Sequence, residues 1–138
     1  MKPKVLIYFA IGLITLHLAG HAAGHFQWDD VRNPEFGSVV KVMKSHQGQF
    51  MGATRTMADY YHGYSLILFV LFGISIGILW LCATAQQTLL VKRLLAILSA
   101  GYLILAVIEW IYFFPFASLV SLLTALLLLT ASRKVSIS

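Results

Sequence analysis

Four stretches of the chain are almost free of polar residues, and none of them alternates. They run from Val5 to about His25, Gly63 to about Ala85, Leu94 to Phe114 and Phe116 to Ala131. A half-buried strand alternates with a period of two. A membrane β-barrel needs alternating segments of about 10 residues, and LILFVLFGISIGILWL in the second run does not alternate. Backbone amides in lipid must bond within their own segment, so these runs are predicted as helices. About 20 residues at 1.5 Å each cross about 30 Å of hydrocarbon. The fourth run, at 16 residues, is short. It must start inside the FFPFAS turn, thin the bilayer or be covered by its neighbours. The expectation is an all-α fold, a four-transmembrane-helix bundle forming a single membrane domain over 1–138.

Between the first two runs lies a polar loop, 26–62. Asn33-Pro34-Glu35 reads as a helix start: a capping Asn, Pro at the first helical position, then an acid in the first turn. Phe36, Val39, Val40 and Met43 follow at i, i+3, i+4, i+7, with Lys41 and Lys44 on the polar side. This predicts a short amphipathic helix lying in the membrane interface. QGQFMGATRT carries no periodic signal and is expected to be irregular. Thr56 resembles an N-cap, with Asp59 three residues on.

Composition agrees with the pattern. Only 11% of the 138 residues are charged, against about 25% in soluble domains, and the mean hydropathy is +0.84. Cys82 is the one cysteine, which excludes an internal disulfide and any CxxC motif. The net charge of +5 does not indicate nucleic acid, because the basic residues flank the apolar runs. Lys2 and Lys4 precede the first, Lys92 and Arg93 separate the second from the third, and Arg133 and Lys134 follow the fourth. With four spans, all three clusters lie on one side, which the positive-inside rule makes cytoplasmic. Both termini are then inside a bacterial inner membrane, and loop 26–62, with four basic and four acidic residues, faces out. A rival reading takes residues 1–24 as a signal peptide, with Lys2 and Lys4 as its n-region and Ala22-Ala23-Gly24 near its cleavage site.

The chemistry collects in one layer. His17, His21 and His25 recur every four residues, spanning about 80° of one helix face. Gly20 and Gly24 form a GxxxG in the same segment, which lets a neighbouring helix approach. Asp59 and His62 sit at the outer mouth of the second span. Glu109, the only acid inside any span, lies five residues before Phe114. Ser99, Tyr102, Ala106, Glu109 and Phe113 share a helical spacing that lines the interior, as do Ser118, Ser121 and Ala125. Ionisable groups in a bilayer normally pair or face a cavity. His17, His21, His62 and Glu109 are therefore the candidate ligands of a transition metal, with His25 and Asp59 behind them. Haem on an axial histidine is a further candidate cofactor, with His17, His21, His62 and Tyr102 lining its site. Alternatively, Glu109 and a histidine, His17 foremost, form a catalytic acid/base pair acting on a lipid or quinone-like substrate. The bland readings are histidines wetted at the interface, or a His–Glu or His–Tyr hydrogen bond gluing helices together. Gly73-Ile-Ser-Ile-Gly77, a second GxxxG, suits a third role, an accessory subunit that meets a second copy or a larger complex.

In GATRTMADYYHGYSL, followed by a span ending ILWL, the chain resembles a family of small uncharacterised bacterial four-span membrane proteins. The matching positions are Gly52, Arg55, Thr56, Asp59, Tyr60, Tyr61 and Gly63. The resemblance implies the four-span topology and no particular activity. A looser likeness, to four-helix membrane folds of the sterol-isomerase kind, rests on helix count and a glutamate beside Trp110.

Overall fold

The computed structural model describes residues 2–136. It contains five helices and one β-hairpin: α1 (Pro3–Gln27), α2 (Pro34–Ser45), β1 (Gln47–Phe50), β2 (Ala53–Thr56), α3 (Met57–Thr84), α4 (Leu89–Tyr112) and α5 (Pro115–Lys134). Four of these, α1, α3, α4 and α5, are long and apolar enough to cross a membrane, which makes the chain a multi-pass membrane protein. Each helix starts where its local chemistry dictates. Asn33 Oδ1 accepts from the Glu35 amide at 2.9 Å, and Pro34 opens α2. Thr56 and Asp59 exchange bonds, 2.7 Å from the Thr56 amide to Asp59 Oδ2 and 3.1 Å from the Asp59 amide to Thr56 Oγ1. That capping box carries α3 six residues further toward the N-terminus than hydropathy alone indicated. Thr88 caps α4, and Pro115 opens α5 within the FFPFAS turn, so the fourth helix has 20 residues rather than 16.

The stretch expected to be irregular is a hairpin. Gln47 pairs with Thr56 and Phe50 with Ala53, leaving Met51-Gly52 as a two-residue turn. Both turn residues have positive φ, 49° and 83°, the requirement of a type I′ turn. The sequence signal was weak because Met is an unusual residue at such a position.

Two compact units divide the described chain, residues 2–18 with 72–136, and residues 19–71. In the first, α1 buries Ile7, Ala10 and Ile14 at i, i+3, i+7. α4 buries Val91, Leu95, Ser99, Tyr102, Ala106 and Glu109, with steps of four and three alternating from Leu95 onward. From Leu95 to Glu109 the period is 3.5 residues, the one that packs helices side by side with left-handed supercoiling. Phe113, expected on the same stripe, lies past the end of α4 and is exposed. α5 is buried over half of its most apolar window. Three serine hydroxyls tie α4 to α5: Ser132 to the Lys92 carbonyl at 2.9 Å, Ser99 to Ala125 at 2.8 Å and Ser118 to Ala106 at 2.8 Å. The three bonds are spaced by seven residues on both helices, so they repeat at one antiparallel register.

The second unit holds α2, the hairpin and the adjoining ends of α1 and α3. Val40 of α2 is buried, while Phe36, Val39 and Val42 are exposed. Lys44 bonds Asp29 at 2.7 Å and lies 5.6 Å from the centre of the Trp28 ring.

Candidate functional site

In the first unit, the buried stripe of α1 reads Ile7, Ala10, Ile14 and then His17, and that of α4 ends Tyr102, Ala106, Glu109. The same packing that buries apolar residues therefore carries an imidazole and a carboxyl into the interior. His17 Nε2 lies 3.1 Å from Glu109 Oε1, and their side chains are 12% and 7% exposed. With Glu109 ionised, its oxygen accepts and Nε2 of His17 donates. The other ring nitrogen, Nδ1, faces Ser121 Oγ of α5 at 3.4 Å. With Nε2 the donor, Nδ1 of a neutral ring accepts from the Ser121 hydroxyl. The order is directional: hydroxyl, imidazole, carboxyl. Phe72 packs against the His17 ring, with centroids 4.8 Å apart.

Two polar atoms in this interior lack a partner among the described residues. One is Glu109 Oε2 and the other is the Tyr102 hydroxyl. Ser75 is the side chain that comes nearest to hydrogen-bonding that hydroxyl, short of regular geometry, and the Glu109 charge acts on it. Leaving a buried polar group unsatisfied costs about 1–3 kcal/mol, so the unmatched carboxyl oxygen of Glu109 is an unusual feature of this interior.

The second unit holds the other histidines. His21 Nε2 lies 3.0 Å from the Ser65 carbonyl and 2.9 Å from its hydroxyl. A carbonyl only accepts, so His21 carries its proton on Nε2. The Ser65 hydroxyl then donates to His25 Nδ1, 2.7 Å away. The His25 ring sits edge-on to that of His62, with centroids 5.2 Å apart. Trp28 Nε1 donates to His62 Nε2 at 3.1 Å, which puts the proton of a neutral His62 on Nδ1.

Of the residues named from sequence, the structure brings His17 to Glu109. His21 and His25 share Ser65, and His62 meets Trp28. Asp59 serves as the capping acid of α3. Among the described residues, no three His, Cys, Asp or Glu side chains are grouped so as to hold a metal ion. Sequence reasoning missed Ser65. Its signal was its place three residues after His62 and four before Phe69, on one stripe of α3. The GxxxG glycines are not closed by packing: a Cβ at Gly20, Gly24, Gly73 or Gly77 meets nothing within 4 Å.

No family model matches the chain, so the likeness read from GATRTMADYYHGYSL has none behind it, and no curated protein or solved structure matches it either.

Proposed function

We propose that this protein is a binding protein of a bacterial inner membrane, with both termini cytoplasmic, that takes a small polar ligand between its helices. The site is His17, Glu109 and Tyr102. One observation carries the reading: Glu109 is buried, gives one oxygen to His17 and leaves the other without a partner among the described residues, with the Tyr102 hydroxyl, beside Ser75, in the same interior. A group that both donates and accepts, such as a hydroxyl or an amide, satisfies an acceptor and a hydroxyl together. A metal or haem held by His17, His21, His62 and Glu109 has less behind it, because a closed metal site takes four ligands and a catalytic one three. The α2 helix fits an amphipathic element at the outer surface, with Phe36, Val39 and Val42 toward lipid and Lys41 toward water.

The test is native mass spectrometry of protein purified in mild detergent, with elemental analysis of the same samples. A bound small molecule is expected on the wild type and lost from both Glu109→Gln and Tyr102→Phe. Identical adduct spectra for all three refute the site. Metal on the wild type that is absent from His17→Ala and Glu109→Gln restores the metal reading.

A second reading has its own support. The order Ser121, His17, Glu109 is the one in which a proton passes from a hydroxyl to a carboxyl through an imidazole, which suits an acid/base enzyme acting on a lipid or quinone-like substrate. It requires that Ser121→Ala impair turnover while ligand retention persists. The accessory-subunit role rests on the open Gly73 and Gly77 positions. It requires that Gly73→Leu release a co-purifying partner or second copy.

A further inference from the structure

The Arg55 to Ile67 stretch, singled out by sequence and unused by the His17–Glu109 site, lines a cavity of about 290 Å³ with Arg55, Asp59, Tyr60, Gly63, Tyr64 and Ile67. Its charges are arranged unusually. Arg55 Nη1 donates only to the carbonyl of its neighbour Thr54, at 2.8 Å. Asp59 commits Oδ2 to the Thr56 amide. The two attract one another yet form no ion pair, the ion pairs among the described residues being His17–Glu109 and Asp29–Lys44. A cation and an anion therefore stand apart on the wall of one cavity, each with unused hydrogen-bonding capacity.

Depth completes the picture. α3 has 28 residues, about 42 Å at 1.5 Å each, whereas the hydrocarbon layer is about 30 Å thick. About 12 Å, or eight residues, must project beyond it. The projecting end is the one carrying Asp59, Tyr60, Tyr61 and His62, since the other end reads Leu81-Cys82-Ala83-Thr84. Arg55, Asp59 and Tyr60 then lie at headgroup level, and Ile67 lies at the hydrocarbon. Tyr60, Tyr64 and Ile67 are all exposed, so the cavity opens toward lipid. Tyrosine hydroxyls at this depth add donors of the kind that anchor to headgroups.

We propose that this cavity binds the headgroup of a zwitterionic phospholipid bearing a primary ammonium, a phosphoethanolamine lipid. The phosphodiester sits on the Arg55 guanidinium, whose fork of N–H groups suits phosphate oxygens. The ammonium sits on the free side of the Asp59 carboxylate, and an acyl chain descends past Gly63 and Ile67. A purely anionic headgroup satisfies Arg55 but meets Asp59 with like charge. A quaternary ammonium has no N–H for Asp59.

The test uses the full chain in mild detergent, with phosphoethanolamine, phosphoglycerol and phosphocholine lipids of matched chains added in turn and retention read by native mass spectrometry. Wild type should retain the phosphoethanolamine lipid at least about tenfold over the other two, about 1.4 kcal/mol. Arg55→Gln should lower retention of that lipid about tenfold. Asp59→Asn, which keeps an acceptor for the Thr56 amide, should abolish the preference so that the first two lipids bind equally. Gly63→Leu, at a position where a Cβ meets nothing within 4 Å, should retain the fold and lose the lipid. Equal retention of all three lipids by wild type, or no change in Arg55→Gln, marks an ordinary lipid shell and overturns the proposal. Displacement of the lipid by inorganic phosphate also overturns it, since the occupant is then a free anion. Glu109→Gln should leave this preference intact, which separates it from the His17–Glu109 site.

Discussion

The serine ladder between α4 and α5 is open to a quantitative test. Ser99, Ser118 and Ser132 each donate to a carbonyl of the facing helix at 2.8–2.9 Å. Interhelical hydrogen bonds in a bilayer contribute about 0.6 kcal/mol on average, with a maximum near 1.7. The lower figure applies here, because each acceptor carbonyl lies inside a helix and keeps its own i+4 amide when the serine is removed. Ser→Ala leaves almost no void, so no cavity term adds to it. Consecutive bonds are seven residues apart, about 10.5 Å along the axis, beyond the range at which neighbouring substitutions couple. Three independent losses should therefore sum to about 2 kcal/mol in Ser99→Ala/Ser118→Ala/Ser132→Ala. Leu95→Ala removes a fully buried side chain from the same helix and should by itself cost about 2–5 kcal/mol. The assay is reversible unfolding from mixed micelles at rising denaturing-detergent fraction, followed by helical circular dichroism. A triple variant as stable as wild type, or one far less stable than the sum of the single variants, refutes independent bonds at a fixed register. A triple variant that loses more than Leu95→Ala refutes the ranking of packing above polar contacts.

Met51 holds φ at 49° in the hairpin turn while 91% exposed, so its side chain contributes strain without packing. Met51→Asn should stabilise the hairpin by about 1 kcal/mol, read as slower amide exchange in Gln47–Thr56; unchanged exchange would count against a strained turn. The Lys44 hydrogen bond, foremost, holds the Asp29 carboxyl below its usual value, with the Lys44 charge adding to it. A lowered folded value means that this contribution is complete above the ordinary Asp pKa of about 3.9. It is lost as pH falls from there through the lowered value. Amide exchange in α2 should accelerate in that acid window and lose the acid step in Asp29→Asn. Gly20→Ala and Gly77→Ala, where a Cβ meets open space, should each raise stability by about 1 kcal/mol in the micelle unfolding assay; loss of stability there would show that the glycines are packed.

The spans were legible because hydropathy over 20 residues averages away local detail. Their ends were not, since ends depend on single side chains such as the Thr56–Asp59 box and Pro115. The hairpin was hidden because Met51 carries no turn signal and Gly52 alone is not enough. Glu109 and His17 were legible as a pair, since each continues a buried stripe of its own helix. The partition of the other histidines was not. Spacing gives the angle between rings on one helix, but the polar group each ring meets belongs to another segment. For His21 and His25 that group is Ser65, a residue type too common in membrane helices to stand out. The free oxygen of Glu109 is a property of what is absent around it, which no pattern of residues spells out.

The seven-residue repeat of the serine ladder also constrains how this protein can move. A piston stroke of α5 along α4 by one helical turn would strand all three hydroxyls against the wrong carbonyls. Even a full heptad, about 10 Å, would not restore them, because it sets Ala125 against Ala106 or Lys92, where neither helix offers a hydroxyl. Any signal carried through this helix pair must therefore travel as a twist or a tilt about the ladder, not as a slide.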